Sequence, residues 1–359
     1  MKNYLFLFLL VFWSIHILGQ DFQLPKGSSK DLIREGNLQN SSIVDSLMNT
    51  FGDKSTMLNK NPDAKIQDYL IISRNHDTIA IDTSLTIEKY HKINFLRQDN
   101  FEFIPFSNTG TAYNTLSFSA ISSINPKMGA SNKYIGYDSV DEVVYYDLPT
   151  PFTELMYRSV FEQGQLLDAI YSVNTSRQFN FSISRKGLRS LGNYQNFISN
   201  SSNFKFTTNY NSRNKKFRLR THYNKQNLSS EQNGGIRDSD IVNFENGIDQ
   251  FLDRGVFDPN FENANNDFIS KRLYLDQSYI LKQADSIKNY TIELNSAFYF
   301  EEKNYKFNQS SSDDFFGEYF ASQEIKDQLF LNTINLNSKL VISSKKLGKL
   351  SLGLNYIND

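Results

Sequence analysis

Cysteine is missing from all 359 residues, which excludes a disulfide framework and a lipid-accepting N-terminal thiol. Proline (7), methionine (5) and tryptophan (1) are scarce. Scarce proline leaves extended runs uninterrupted, since proline cannot donate to a strand ladder. Beyond the N-terminus no apolar run is long enough for a transmembrane helix, and the mean hydropathy is −0.49. That average argues against a helical membrane bundle. It leaves transmembrane strands open, because their lipid-facing and lumen-facing residues alternate and cancel. A net charge of −1 removes the electrostatic footprint of a nucleic-acid binder. Zinc-protease, nucleophile-elbow and phosphate-loop motifs are absent from the sequence, so it points to no catalytic residue, no metal, no cofactor and no enzyme.

What is abundant is aromatic surface: 30 Phe and 20 Tyr bring the aromatic share to 14%. These residues favour strands and the interfacial belts of a barrel. At the N-terminus, Met1-Lys2-Asn3 is a short basic region, and Tyr4 to Leu18 is apolar and closed by Gly19-Gln20. Residues 1–20 read as a secretory signal peptide cleaved near Gly19 or Gln20. A retained anchor helix is the rival reading, and the run is at the short end for one. Residues 21–65, rich in Ser, Asn, Asp and Lys, read as a poorly ordered lead. Within 66–110, Asp68 to Arg74 and Asp77 to Asp82 flank Asn75-His76 and predict a small hairpin or plug-like segment ahead of the barrel, with a lumen plug and a periplasmic position both open.

From about Thr111 to Asp359 the period of two dominates and predicts barrel strands. Between Asn203 and Asn224, one face carries Phe204, Phe206, Thr208 and Tyr210, then Phe217, Leu219, Thr221 and Tyr223. The other carries Lys205, Thr207 and Asn209, then Arg218, Arg220 and His222. Setting Tyr210 opposite Phe217 would match aromatic with aromatic along the ladder. Further strands are expected at Gln178 to Lys186, Leu273 to Leu281, Tyr290 to Phe300, Phe330 to Leu340 and Leu350 to Tyr356. Connections are short at Asn211 to Lys215, Ala284 to Lys288 and Ser343 to Gly348, and long at Lys225 to Ser270 and Glu302 to Lys326. Short turns on one side and long loops on the other are the outer-membrane layout. A soluble β-sandwich would also alternate, but would favour Val, Ile and Leu on a buried face and shorter strands.

Several stretches together carry a family resemblance. Asp82-Thr-Ser-Leu-Thr-Ile, Asn100-Phe-Glu-Phe-Ile-Pro-Phe-Ser-Asn-Thr-Gly110, Phe161-Glu-Gln-Gly-Gln-Leu-Leu-Asp168, Gly187-Leu-Arg-Ser-Leu-Gly192 and Glu231-Gln-Asn-Gly-Gly235 resemble the putative-porin family of Bacteroidota-type outer membranes. The resemblance covers most of the chain after Asp68. It implies an exported all-β protein, an antiparallel up-and-down transmembrane β-barrel of the Gram-negative outer membrane with a porin-like role. Outer-membrane lipid and the barrel-assembly machinery would be its partners, and it supplies no catalytic residues. Family members are longer, and Asn358-Asp359 is not the aromatic ending of a terminal barrel strand, so the barrel is expected to be incomplete in this chain.

The residues expected to line the lumen are Lys205, Arg218, Arg220 and His222 on one hairpin, with Asp276 and Glu293 on the next two strands. Opposed basic and acidic walls would set a transverse field in a pore, and a bland alternative is mutual neutralisation. His222 is the one histidine on a barrel strand. It lacks a neighbouring nucleophile, which argues against a rim hydrolase. Acidic residues crowd the long loop (Asp238, Asp240, Glu245, Asp249, Asp253, Asp258, Glu262, Asp267) without the order of a calcium loop. Gly234-Gly235 reads as a tight bend needing positive φ. The functional expectation is a channel for small polar solutes. A surface receptor or assembly scaffold on the same barrel is the alternative, and the oligomeric state is open.

Overall fold

The computed structural model describes residues 63–359 except 85, 98–102, 117–127, 130, 161–163, 285–289, 312–313, 345 and 347. The expected signal peptide and nearly all of the lead lie outside the described residues. Among the described residues, no helix is long and apolar enough to cross a membrane.

The expected hairpin forms: β1 (Leu70–Ile72) pairs antiparallel with β2 (Thr78–Ala80) around a turn in which His76 takes φ 69°. A second small hairpin joins β3 (Phe103–Pro105) to β4 (Tyr113–Thr115). β5 (Tyr145–Asp147) adds to β1 and completes a three-stranded sheet. The described residues of 66–148 thus form an inward segment ahead of the wall, built of short strands and 3-10 turns.

The wall starts at Phe152, not at Thr111 as the alternation suggested. Nine strands follow: β6 (Phe152–Val160), β7 (Gly164–Ser176), β8 (Phe179–Ser190), β9 (Ser199–Asn211), β10 (Phe217–Gln232), β11 (Ala264–Lys282), β12 (Tyr290–Gln309), β13 (Ile325–Ser344) and β14 (Gly348–Asn358). Each pairs antiparallel with its sequence neighbour, giving one meander with no crossover. The sheet is open, because its edge strands β6 and β14 are not bonded to each other. An incomplete up-and-down barrel fits this arrangement. A sandwich does not, since among the described residues no second sheet of comparable size accompanies the first.

The alternation is inverted relative to a soluble protein. On β11, Asn266, Phe268, Ser270, Arg272, Tyr274, Asp276 and Ser278 are buried while Leu273 and Tyr279 are exposed. On β10, Arg220, His222, Asn224 and Gln226 are buried while Tyr223 is exposed. A soluble fold buries its apolar face, so this arrangement suits a polar interior and a lipid exterior.

The outward apolar face is also a band of limited height. On β12, Tyr290, Ile292, Leu294, Phe298 and Phe300 face outward, and the same face then turns polar at Glu302, Asn304, Lys306 and Asn308. Register carries this boundary across the wall: Tyr223, Leu273, Phe300 and Ile334 lie in one row, and Lys225, Lys271, Glu302 and Asn332 in the next polar row. The band on β12 has the roughly 9 to 11 residues that a tilted strand needs to span a bilayer. Beyond it the strands overhang. The long connections are therefore shorter than expected, at 233–263 and 310–324, and Asp267 sits on β11 rather than in a loop.

The register of the β9–β10 hairpin differs from expectation by two residues: Tyr210 opposes Leu219, and Phe206 opposes Tyr223. A two-residue turn would force Arg213 and Asn214 to positive φ. The chain instead places only Lys215 there, at φ 55°, with Ser212 accepting from Lys215 and donating to the Phe217 carbonyl at 2.9 Å. A shift of two preserves the faces, and Tyr210 still meets Phe217 diagonally at 6.2 Å. Gly234 and Gly235 do take positive φ, at 68° and 85°, and a Cβ on Gly234 would lie 2.5 Å from the Phe261 ring.

The polar inner face and the segment against it

All six expected lumen residues share the inner face, but that face carries the inward segment instead of open solvent. Lys205 binds Asp138 of the segment at 2.7 Å. Arg220 stands opposite Asp276 in the ladder and donates to the Ser73 carbonyl at 3.2 Å. Arg218 pairs with Glu293 at 2.6 Å, and Ser278 bridges them. Among these six residues, Arg218–Glu293 is the ion pair that joins the opposed walls.

His222 is mid-strand, with β10 running on to Gln232, so it does not sit at the loop-side end. Arg272 Nε donates to its Nε2 at 3.1 Å, which puts the ring proton on Nδ1, 2.8 Å from the Tyr145 hydroxyl. Tyr274 stacks on the imidazole at 4.9 Å. One nitrogen is taken by Arg272 of β11 and the other by Tyr145 of the segment, so no general-base geometry exists here.

Sequence reasoning missed the most elaborate part of the face. Arg272 and Glu301 are buried, at 1% and 2% side-chain exposure, and pair at 3.2 Å. Glu301 also accepts from Ser270 at 3.0 Å, Lys303 at 3.1 Å, Tyr299 at 3.1 Å and the Tyr137 hydroxyl. Arg272 spends its remaining donors on the Tyr137 hydroxyl and on the carbonyls of Asp138 and Ser139. A carboxylate with several donors and a guanidinium with no idle N–H make burial of both charges tolerable. The signal available in the sequence was parity alone: Arg272 and Glu301 fall on the inner face, register partners on β11 and β12.

Smaller contacts complete the docking. Asn108 donates to the carbonyls of Ser190 and Phe197, and Asn174 binds Asp147 at 2.8 Å. Arg97 pairs with Glu154 at 2.5 Å, and Asn209 donates to the Tyr146 carbonyl. Apolar contacts are scattered in small groups, such as Ile72 and Tyr145 with Tyr274, or Phe95 with Leu166 and Leu188. Adhesion of the segment is therefore largely polar. Burial raises the Tyr137 and Tyr145 phenols well above their ordinary value, keeping both hydroxyls neutral. Burial would raise the Asp138 carboxyl as well, but Lys205 overrides it and holds that group below its usual range. His76 in the β1–β2 turn is pushed down to about 4 by burial and by Arg220 and Arg218, and its Nε2 lies 3.6 Å from Asp276.

Between the segment and β6–β9 lies a cavity of about 410 Å³, lined by polar and charged side chains that include Asp168, Lys186, Asn203 and Lys205 and by apolar ones such as Val143, Val144 and Ile170. No group of three or more His, Asp or Glu among the described residues is arranged to hold a metal ion.

No curated protein and no solved structure matches the chain. A family model does, over residues 65–358, which takes in the inward segment and the whole wall together. With its inverted alternation, its bilayer-high apolar band and its polar inner face, the chain belongs to the family described as Putative porin.

Proposed function

We propose that this chain forms an outer-membrane channel for passive diffusion of small polar solutes, with residues 66–148 seated inside it as a constriction. Family membership implies the outer membrane and a channel-type, non-enzymatic protein. The observation that carries the finer reading is the polar cavity left between segment and wall: a fully packed plug would leave no hydrated route. On this reading the long connections 233–263 and 310–324, at the overhanging strand ends, point outward, as long loops do in outer-membrane barrels. Enclosing a lumen requires that both free edges be paired, since an unpaired strand edge is not tolerated in hydrocarbon.

Planar-bilayer recording on protein purified from membranes tests this. Stepwise currents that rise when residues 66–148 are deleted are expected. A silent bilayer with and without the segment would reject the channel reading. It would favour a receptor or assembly scaffold, a reading supported by the ion pairs Lys205–Asp138 and Arg97–Glu154 that hold the segment over the inner face.

A further inference from the structure

We infer that the cavity between the inward segment and β6–β9 is a binding station for a zwitterionic solute of amino-acid or short-peptide size. The inference deepens the channel reading by naming its solute class, and it rests on that reading for its role in transport. Its volume, about 410 Å³, falls in the roughly 300 to 1,000 Å³ range of small-molecule sites.

The charges around it sort by whether they are already satisfied. Arg97 is committed to Glu154 and Lys205 to Asp138. Glu142 accepts from the Ser139 amide at 2.6 Å. Lys186 and Asp168 are different: they face each other across the β7–β8 ladder and line the cavity, Lys186 is attracted to both Asp168 and Asp138, yet among the described residues neither Lys186 nor Asp168 makes a direct ion pair or hydrogen bond. The Lys186 ammonium sits 4.5 Å over the Phe95 ring, which orients it without neutralising it. A third group points the same way. Asn203 lines the cavity at 5% exposure and gives its amide nitrogen to Asp138 at 2.7 Å, while its Oδ1 accepts nothing.

The cavity therefore offers one cation for a carboxylate, and one carboxylate plus one idle carbonyl oxygen for an ammonium. A simple anion would leave Asp168 and Asn203 unanswered, a simple cation would leave Lys186, and a neutral sugar would leave both charges. Only a solute carrying both signs satisfies all three.

Calorimetry on the full chain in detergent micelles tests this with four probes: alanylalanine, its N-acetyl form, its C-terminal amide, and glucose. Alanylalanine should bind about tenfold more tightly than either capped form, the size of one charge-assisted contact. Lys186→Gln should erase the preference for a free carboxylate and keep that for a free amine, and Asp168→Asn should do the reverse. Heat-modifiable mobility on gels checks that each variant is folded, and the wild-type comparison needs no variant. Equal binding of all four probes, no binding at all, or loss of both preferences in either variant overturns the assignment. Binding without current would reject only the channel reading, and current without binding only this site.

Discussion

Glu301→Gln is the sharpest probe of how the inward segment is held. The carboxylate takes five donors, from Arg272, Ser270, Tyr137, Lys303 and Tyr299. A glutamine keeps one acceptor oxygen and replaces the other with an N–H₂, so some of these donors must face a donor. Arg272, at 1% exposure, loses its only carboxylate partner. Breaking a buried ion pair from one side costs about 3 to 5 kcal/mol. Because the lost contacts join Tyr137 to β11 and β12, the loss should fall on the segment more than on the wall. Amide hydrogen exchange in micelles reads it out: at about 1.4 kcal/mol per decade, amides between Tyr137 and Tyr146 should exchange at least about a hundredfold faster, while those of β9 and β10 away from the contact stay protected. Adding Arg272→Met should recover part of the loss, since the stranded charge is then gone. Unchanged exchange in the segment, or an equal increase across the wall, would refute the idea that this pair anchors it. Strict additivity of the two substitutions would do the same.

Three further outcomes follow from the geometry. His76 has a folded pKa of about 4 against an ordinary value of 6.5, so as pH falls from about 6.5 towards 4 the released hairpin takes up a proton that the docked one refuses. Docking of β1–β2 should weaken over that window and be flat above it. His76→Asn, which keeps the positive φ, should remove the pH dependence of exchange at residues 70–80, and a persisting dependence would shift the cause to Asp276 or its neighbours. Leu219→Arg puts a cation on the outward face in the middle of the apolar band, at a cost of about 2 to 4 kcal/mol, so the folded fraction in vesicles should drop; full assembly would mean that this face does not meet lipid. An epitope at Asn246 should label on intact cells and one at Ser212 should not, with the opposite pattern reversing the orientation.

Much of the wall was legible because its signal is local. Phe204 to Tyr210 and Phe217 to Tyr223 announce both faces by parity, and parity survives a register error of two. The β1–β2 hairpin was equally readable from two β-type runs around Asn75-His76. The start of the wall was not, because a run such as Val143 to Asp147 looks like a wall strand, and its Tyr145–Asp147 is a strand, but of the small inner sheet. Strand ends were missed for a related reason. Beyond Phe300 and before Leu273 the outward face turns polar, which resembles loop in sequence while the ladder continues. Of the six inner-face residues, all were placed by parity; what they touch was not readable, since Asp138 and Tyr145 lie far from Lys205 and His222 in the chain. The Arg272–Glu301 pair escaped notice because a buried charge and a solvated one look identical in an alternating pattern.

The open edges carry a constraint of direction. Nine antiparallel strands in sequence leave β6 and β14 running the same way. If the two edges met directly they would form a parallel seam, the one pair in the wall with slanted, slightly weaker bonds. A second copy placed by a twofold axis along the membrane normal would bring β14 beside its partner's β6 and reproduce that seam twice. A purely antiparallel ring instead needs an odd number of intervening strands, whatever chain supplies them. Counting parallel contacts between edge residues, for instance by cross-linking Leu155 to Leu352, would therefore distinguish the modes of closure without any need to count the strands.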